Sequence, residues 1–259
     1  MKIVFIGAGN LATRLSLAMQ RVGMQIGQVY SHTEASARQL ATRLGCPWTN
    51  DFSALQEDGD LYVFSLKDTV LSDVISKVKP NNGMWVHTAG SMPMSVFEGY
   101  AQRFGVLYPL QTFSKGRNVN FDVIPIFLEA NTDKNADYLK NIASALSENV
   151  RFMSSEKRRS LHLAAVFACN FTNHIYTLSY KLLENESIPA DVLLPLIDET
   201  VSKIHSMPPA AAQTGPAIRY DENVINKHLA MLDDPDMQAI YRLLSQSIHK
   251  EAQNEYYQL

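Results

Sequence analysis

Over the first 153 residues, short apolar runs alternate with stretches in which apolar residues recur at helical spacing. Lys2-Ile3-Val4-Phe5-Ile6 reads as a buried strand, and apolar residues at 11, 15, 18, 19 and 22 then follow a helical period. Gln25 to Tyr30 is a second strand and Glu34 to Leu44 a helix. Asp60 to Ser65 is a third clear strand, before a helix from Thr69 to Val78 that Pro80 and Gly83 close. Met84 to His87, Gly105 to Leu107, Val123 to Leu128 and Val150 to Met153 read as further strands, with a helix from Lys134 to Leu146. Such alternation predicts right-handed crossovers and a mainly parallel sheet covered by helices.

After Ser154 the pattern changes. Ser155 to Glu186 holds neither proline nor glycine and predicts one long helix, with room for a break. A helix from Asp191 to Met207, opened by an Asp cap, should follow. Then come a Pro- and Gly-bearing loop over 208–216 and helices over Glu222 to Leu232 and Pro235 to Gln253. The boundary is therefore placed at 153/154, with an α/β domain (1–153) before an all-helical one (154–259).

Composition narrows the classes. The chain has 259 residues and a net charge of -3, without the basic excess of a nucleic-acid binder. The longest strictly apolar run, Leu163 to Cys169, is far short of the ~18 residues that span a bilayer. Asn10 and Arg14 interrupt the apolar N-terminus too early for a signal peptide. Cys46 and Cys169 are too far apart for a zinc spacing and suit a reducing cytosol, so a cytoplasmic protein is expected. No metal-binding spacing is present, and no metal is expected.

The chemistry begins at Gly7-Ala8-Gly9-Asn10-Leu11-Ala12, a G-x-G-x-x-A run between a strand and a helix. The first glycine permits a tight turn, the second lets backbone approach a pyrophosphate, and Ala12 keeps the helix close to the strand. The helix N-terminus offers N–H groups to phosphates. The end of the second strand selects the cofactor: an NAD site places a carboxylate there, whereas this chain has Tyr30-Ser31-His32-Thr33. Ser31, His32 and Thr33 can donate to a 2′-phosphate, with Arg38 one turn further, which favours NADP(H). The same residues can equally open the next helix.

With these come Phe64-Ser65-Leu66-Lys67-Asp68, His87-Thr88-Ala89-Gly90-Ser91, Tyr108-Pro109-Leu110-Gln111-Thr112-Phe113, His162 to Asn170 and Thr214-Gly215-Pro216-Ala217-Ile218-Arg219. Over essentially its whole length the chain resembles dehydrogenases that join an N-terminal Rossmann domain to a helical domain of the 6-phosphogluconate-dehydrogenase type. These include pyrroline-5-carboxylate reductases, 3-hydroxyisobutyrate dehydrogenases and deazaflavin-dependent NADP oxidoreductases. It is most similar to a branch with a C-terminal domain of unknown function. The resemblance implies NADP(H) and a small-molecule substrate in an interdomain cleft, with a homodimer formed through the helical domain. It also implies that Ser65, Leu66 and Lys67 pass beneath the cofactor riboses and that His87 and Ser91 approach the nicotinamide.

One departure stands out. Relatives acting on hydroxyacids carry a Lys four residues before an Asn on the first long helix. Here Asn170 is present, but Val166 takes the Lys position and His162 lies eight residues before Asn170. Either His162 or His87 supplies the proton, or the substrate is an imine needing less help. Asn170 must find a partner if buried. Thr214 and Arg219 flank a Pro-fixed turn, where Arg can grip a carboxylate; alternatively the segment is a structural turn with Asp221 capping the next helix. The reading favoured by these residues is an NADP(H)-dependent oxidoreductase acting on a carbonyl, hydroxyl or imine compound. The alternative is a non-catalytic NADP(H)-binding sensor or interaction protein.

Overall fold

The computed structural model describes residues 1–256, and side chains as far as Asn254. They form two compact units, Met1–Asn170 and Phe171–Leu259. The division falls later than the end of the sheet, because the first helix beyond it belongs with the sheet.

The first unit is built on an eight-stranded sheet. Its elements are β1 (Lys2–Ile6), α1 (Asn10–Arg21), β2 (Gln25–Tyr30), α2 (Glu34–Leu44), β3 (Trp48–Thr49), β4 (Leu61–Phe64), α3 (Asp68–Lys77), β5 (Met84–His87), β6 (Phe104–Pro109), β7 (Ile126–Ala130), α4 (Asp133–Ser144), β8 (Val150–Phe152) and α5 (Ser155–Ala165). The strand order is β3-β2-β1-β4-β5-β6-β7-β8. All neighbours pair in parallel except β6 and β7. This is the Rossmann arrangement that the β–α alternation predicts. The antiparallel step arises because residues 110–125 join β6 to β7 without a crossover helix. β3, only two residues long, shows no periodicity a sequence reading could detect.

Strand residues alternate between two cores. Ile3, Phe5, Val63 and Leu107 pack on one side with Leu15 of α1 and Leu139 of α4. Val4, Ile6, Tyr62 and Trp85 pack on the other with Leu71 and Ile75 of α3 and with Phe97. Both faces are covered, so the strands read as nearly continuous apolar runs.

Two arginines fix what surrounds the sheet's C-terminal edge. Arg14 of α1 donates from Nε to Ser114 O (2.9 Å), from Nη1 to Asn118 Oδ1 (2.7 Å) and from Nη2 to Lys115 O. It thereby latches the segment after β6 to the first helix. Arg158 of α5 is 1% exposed. It pairs with Glu129 of β7 at 2.5 Å and donates to Met92 O at 2.6 Å, while Ser155 donates to the same Glu129 oxygen at 2.7 Å. A buried arginine needs such partners. The result is that α5 is pinned to β7 and to the loop after β5.

The long helix predicted over 155–186 is interrupted: α5 passes into a π-helical stretch, Val166–Phe171, and then α6 (Thr172–Asn185). The second unit continues with α7 (Leu194–Lys203), α8 (Pro209–Ala212), α9 (Pro216–Arg219), α10 (Glu222–Ala230) and α11 (Pro235–Tyr256). Asp191 does not cap α7 but sits inside a 3-10 turn, Ala190–Leu193, behind Pro189. Asp221 does cap α10, accepting from Val224 N.

Candidate active site

The glycine loop has the geometry its residues promise. Gly7 has φ of 120°, a conformation that favours glycine, and a Cβ there would strike the Ser65 carbonyl. Gly9 caps α1 with no side-chain hydrogen bond, and nothing lies within 4 Å of where its Cβ would stand. The start of α1 is thus open at Gly9, where first-turn N–H groups lack intrahelical partners, and it fits a dinucleotide pyrophosphate. Gly7, Ala8, Gly9, Asn10 and Leu11 are the residues that would hold it.

Adjacent strand ends continue the line. Gly7 touches Ser65 after β4, and Thr88 after β5 donates from Oγ1 to Ser65 Oγ at 3.3 Å. Two residues on, Gly90 lies under the His162 ring: a Cβ there would meet Nδ1 at 2.5 Å and Cγ at 2.6 Å. His162 Nδ1 in turn lies 3.0 Å from Tyr108 Oη, at the end of β6. The C-terminal edges of β1, β4, β5 and β6 thus carry one contiguous row, Gly7–Ser65–Thr88–Gly90–His162–Tyr108. Ligands bind outside the carboxyl ends of strands in open sheets of this kind.

Burial sorts the titratable groups. Tyr108 is 7% exposed. Burial raises its pKa most, buried Arg158 opposes, and Asp68 adds to the rise. A phenol so held keeps its proton, and its Oη stands within hydrogen-bond reach of His162 Nδ1. His87 has the opposite fate. It is fully buried, and desolvation, helped by Arg158 and opposed by its bond to Pro93, lowers its pKa to about 3. Its Nδ1 accepts from Ala89 N (3.2 Å) and its Nε2 meets Pro93 O (3.3 Å). Both nitrogens are thus spent on shaping the loop. The structure places His87 beneath the site, where it organises the turn carrying Gly90.

The remaining candidates fall as follows. Ser31 is half-buried and His32 and Thr33 are exposed, and among the described residues their side chains take no protein hydrogen bond. Leu66 and Lys67 follow Ser65 into α3, and Lys67 caps that helix through its backbone. Ser91 donates to the carboxylate of Asp68. Asn170 is exposed, so the requirement for a buried partner lapses. It lies within the π stretch Val166–Phe171, whose extra residue brings position i+8 to where i+7 would lie on an α-helix, towards the face of His162. Thr214 and Arg219 are exposed in the second unit, before and at the end of α9. Tyr108 and Asp68, which meet His162 and Ser91 in the structure, were not among the sequence candidates. Tyr108 sits in an apolar strand run that gives a polar role no signal, and Asp68 reads as an ordinary first-turn acid.

Together the sheet order, the glycine loop and the open strand ends define a dinucleotide-binding oxidoreductase fold. Residues 2–86 match the family model described as NADP oxidoreductase, coenzyme F420-dependent, and residues 124–248 match a domain of unknown function, DUF2520. The "putative NADP oxidoreductase BF3122" of Bacteroides fragilis is 54% identical, with 96% of this chain and 98% of that one covered and a TM-score of 0.91. Protein TM1727 from Thermotoga maritima is 21% identical (97% and 99% covered, TM-score 0.78). An imine reductase from Myxococcus stipitatus, in complex with NADP+, is 14% identical (99% and 94% covered, TM-score 0.64). No curated protein matches the chain. The chain belongs to the family of the Bacteroides protein, and within this chain the NADP oxidoreductase match precedes the DUF2520 match. The cofactor that this family and the loop define is NADP(H).

Proposed function

We propose that this protein is an NADP(H)-dependent oxidoreductase acting on a small carbonyl, hydroxyl or imine compound, with His162 as the residue that moves the proton. The supporting observation is the contiguous row from Gly7 to Tyr108, which runs from the pyrophosphate cradle to an imidazole bonded to a buried phenol. When bound, the nicotinamide supplies or accepts a hydride. The chain does the rest. Ser31, His32 and Thr33 bind the 2′-phosphate where no carboxylate repels it, and Ser65, Leu66 and Lys67 support the riboses. Tyr108 fixes the His162 ring so that its Nε2–H faces the reacting atom, and proton transfer by a positioned group contributes ~10²–10⁴-fold in rate. Asn170 and Ser91 orient the substrate.

The homodimer is part of this proposal. Among the described residues of the second unit only Ala217, Ile225 and Ser245 are buried, while Leu194, Leu196, Val201 and Ile204 are exposed. Exposed apolar surface on that scale marks an interface. The two thiols are free, and burial raises that of Cys46 to about 11, which fits a cytoplasmic setting.

Calorimetric titration with NADPH and NADH tests the reading. Micromolar NADPH binding, at least tenfold tighter than NADH, is expected. Failure of both dinucleotides to bind overturns it, and binding with no turnover across carbonyl and imine panels leaves the sensor as the function.

A further inference from the structure

The segment that Arg14 latches to α1 carries charge that the proposed function leaves unassigned. Arg14 is 6% exposed, and its three acceptors, the Ser114 and Lys115 carbonyls and the Asn118 amide oxygen, are all neutral. The latch holds the backbone of Lys115 beside α1. There a cavity of about 190 Å³ opens between α1, α2 and the segment, with Thr13, Ser36, Gln39, Arg43 and Lys115 in its lining. Among the described residues no carboxylate lines it, and neither Arg43 nor Lys115 makes an ion pair. Over α1, α2 and 110–120 the sequence holds Arg14, Arg21, Arg38, Arg43, Lys115 and Arg117 against a single acid, Glu34. Of these cations only Arg21 has an ion-pair partner. A local excess of this kind, in a chain whose acids outnumber its lysines and arginines, gathers anions.

The cavity adjoins both parts of the cofactor path. Thr13 donates from Oγ1 to the carbonyl of Gly9, the second glycine of the pyrophosphate cradle, at 2.8 Å. Ser36 lies in the first turn of α2, just beyond Ser31, His32 and Thr33, and shares a helix face with Gln39 and Arg43. The volume is below the ~300–1,000 Å³ of pockets that enclose a whole ligand, so the space suits one substituent and not a second nucleoside. Taking NADP(H) as the cofactor, we propose that Lys115 and Arg43 supply the positive charge that holds its 2′-phosphate, and so set the preference over NAD(H). Ser31 and Thr33 offer that phosphate hydroxyls without charge. Hydrogen bonds from a cation to a phosphate are about twice as strong as neutral ones. The discriminating charge thus comes from the segment after β6, held in place by Arg14, and from the last turn of α2, both outside the glycine loop and the end of β2.

The probes are adenosine 2′,5′-bisphosphate and adenosine 5′-monophosphate, which differ only in the 2′-phosphate, titrated calorimetrically into the full chain. Wild-type protein should bind the bisphosphate at least tenfold tighter. Lys115→Met should weaken the bisphosphate about tenfold, the scale of one charge-assisted hydrogen bond, and leave the monophosphate within about twofold. Lys115→Arg should retain the preference, and Arg43→Met should reduce it about threefold. Because the contact is ionic, the wild-type preference should shrink as salt is raised and that of Lys115→Met should not. A Lys115→Met variant with the full preference, or one that loses both nucleotides equally, overturns the proposal. Wild-type protein that binds both nucleotides without preference also overturns it and leaves dinucleotide binding standing. Wild-type protein that binds neither brings down the cofactor reading together with the proposal.

Discussion

The two units of this chain spend their apolar residues differently. In the first, Ile3, Phe5, Tyr62, Trp85 and Leu107 are all at 0–2% exposure, and the sheet is covered on both faces. In the second, Leu196 is 63% exposed and Met231 76%, and only three described residues are buried. Composition does not separate the two: both carry leucines, valines and methionines at regular spacing. Under the proposed homodimer, what separates them is whether the partner surface lies within the same unit. A helical unit with this little buried surface cannot offset the ordering of its backbone alone, at about 1–2 kcal/mol per residue. The difference teaches that apolar periodicity marks a helix face without saying whether its own unit buries it.

The strongest way to break that comparison is to put a charge on the exposed side of α7. Leu196→Asp should convert a dimer to monomers at micromolar concentration in sedimentation equilibrium. A charge desolvated in an apolar interface has no compensating partner. A wild-type protein that is already monomeric at that concentration, or a variant that still dimerises, refutes the idea that a second copy covers this face.

A second, smaller effect sharpens the account of the sheet unit. His87 is held neutral with its pKa lowered from 6.5 to about 3, chiefly by burial. A lowered folded-state value means that the unfolded chain binds the proton first. Stability from this residue is thus full above pH 6.5 and is lost as pH falls towards 3. Between pH 7 and pH 5 the loss should be about 2 kcal/mol in urea titrations. His87→Gln should flatten that part of the profile. A wild-type profile already flat over this range would show that the ring is not held as described.

Much of the fold was legible because its signals are local. The Gly7 loop, the strand runs at Lys2–Ile6 and Leu61–Phe64, and the change of pattern after Ser154 each need only a dozen residues to read. The arrangement around the proposed site was only half legible. His162 was visible as a histidine before Asn170, but its partner was not, since Tyr108 lies 54 residues away and meets it only through strand order. His87 misled for the converse reason: a histidine at a strand end looks available until the loop after β5 folds back to take both nitrogens. The π stretch at Val166–Phe171 was invisible, since no residue type marks an extra helical residue.

The smallest effect probes the contact that joins strand to helix within the sheet unit. Tyr108→Phe removes one hydroxyl and leaves the ring that stands edge-on to His162 at 6.1 Å between centroids. One hydrogen bond of this kind contributes about 1 kcal/mol, so the thermal midpoint should fall by only a few degrees. The catalytic consequence should exceed the structural one. Without the phenol, no described hydrogen bond holds His162 Nδ1, and the ring is free to exchange tautomers. The pH profile of kcat/KM should then lose its dependence on the phenol–imidazole pair, while KM for NADPH, bound at the far end of the row, stays constant. A variant with wild-type kcat/KM across the pH range would leave His162 working alone and Tyr108 as packing. A variant that loses NADPH affinity would mean that the row is mechanically coupled from end to end. The two readouts separate a positioning role from a merely structural one, since packing alone would move stability and not the profile.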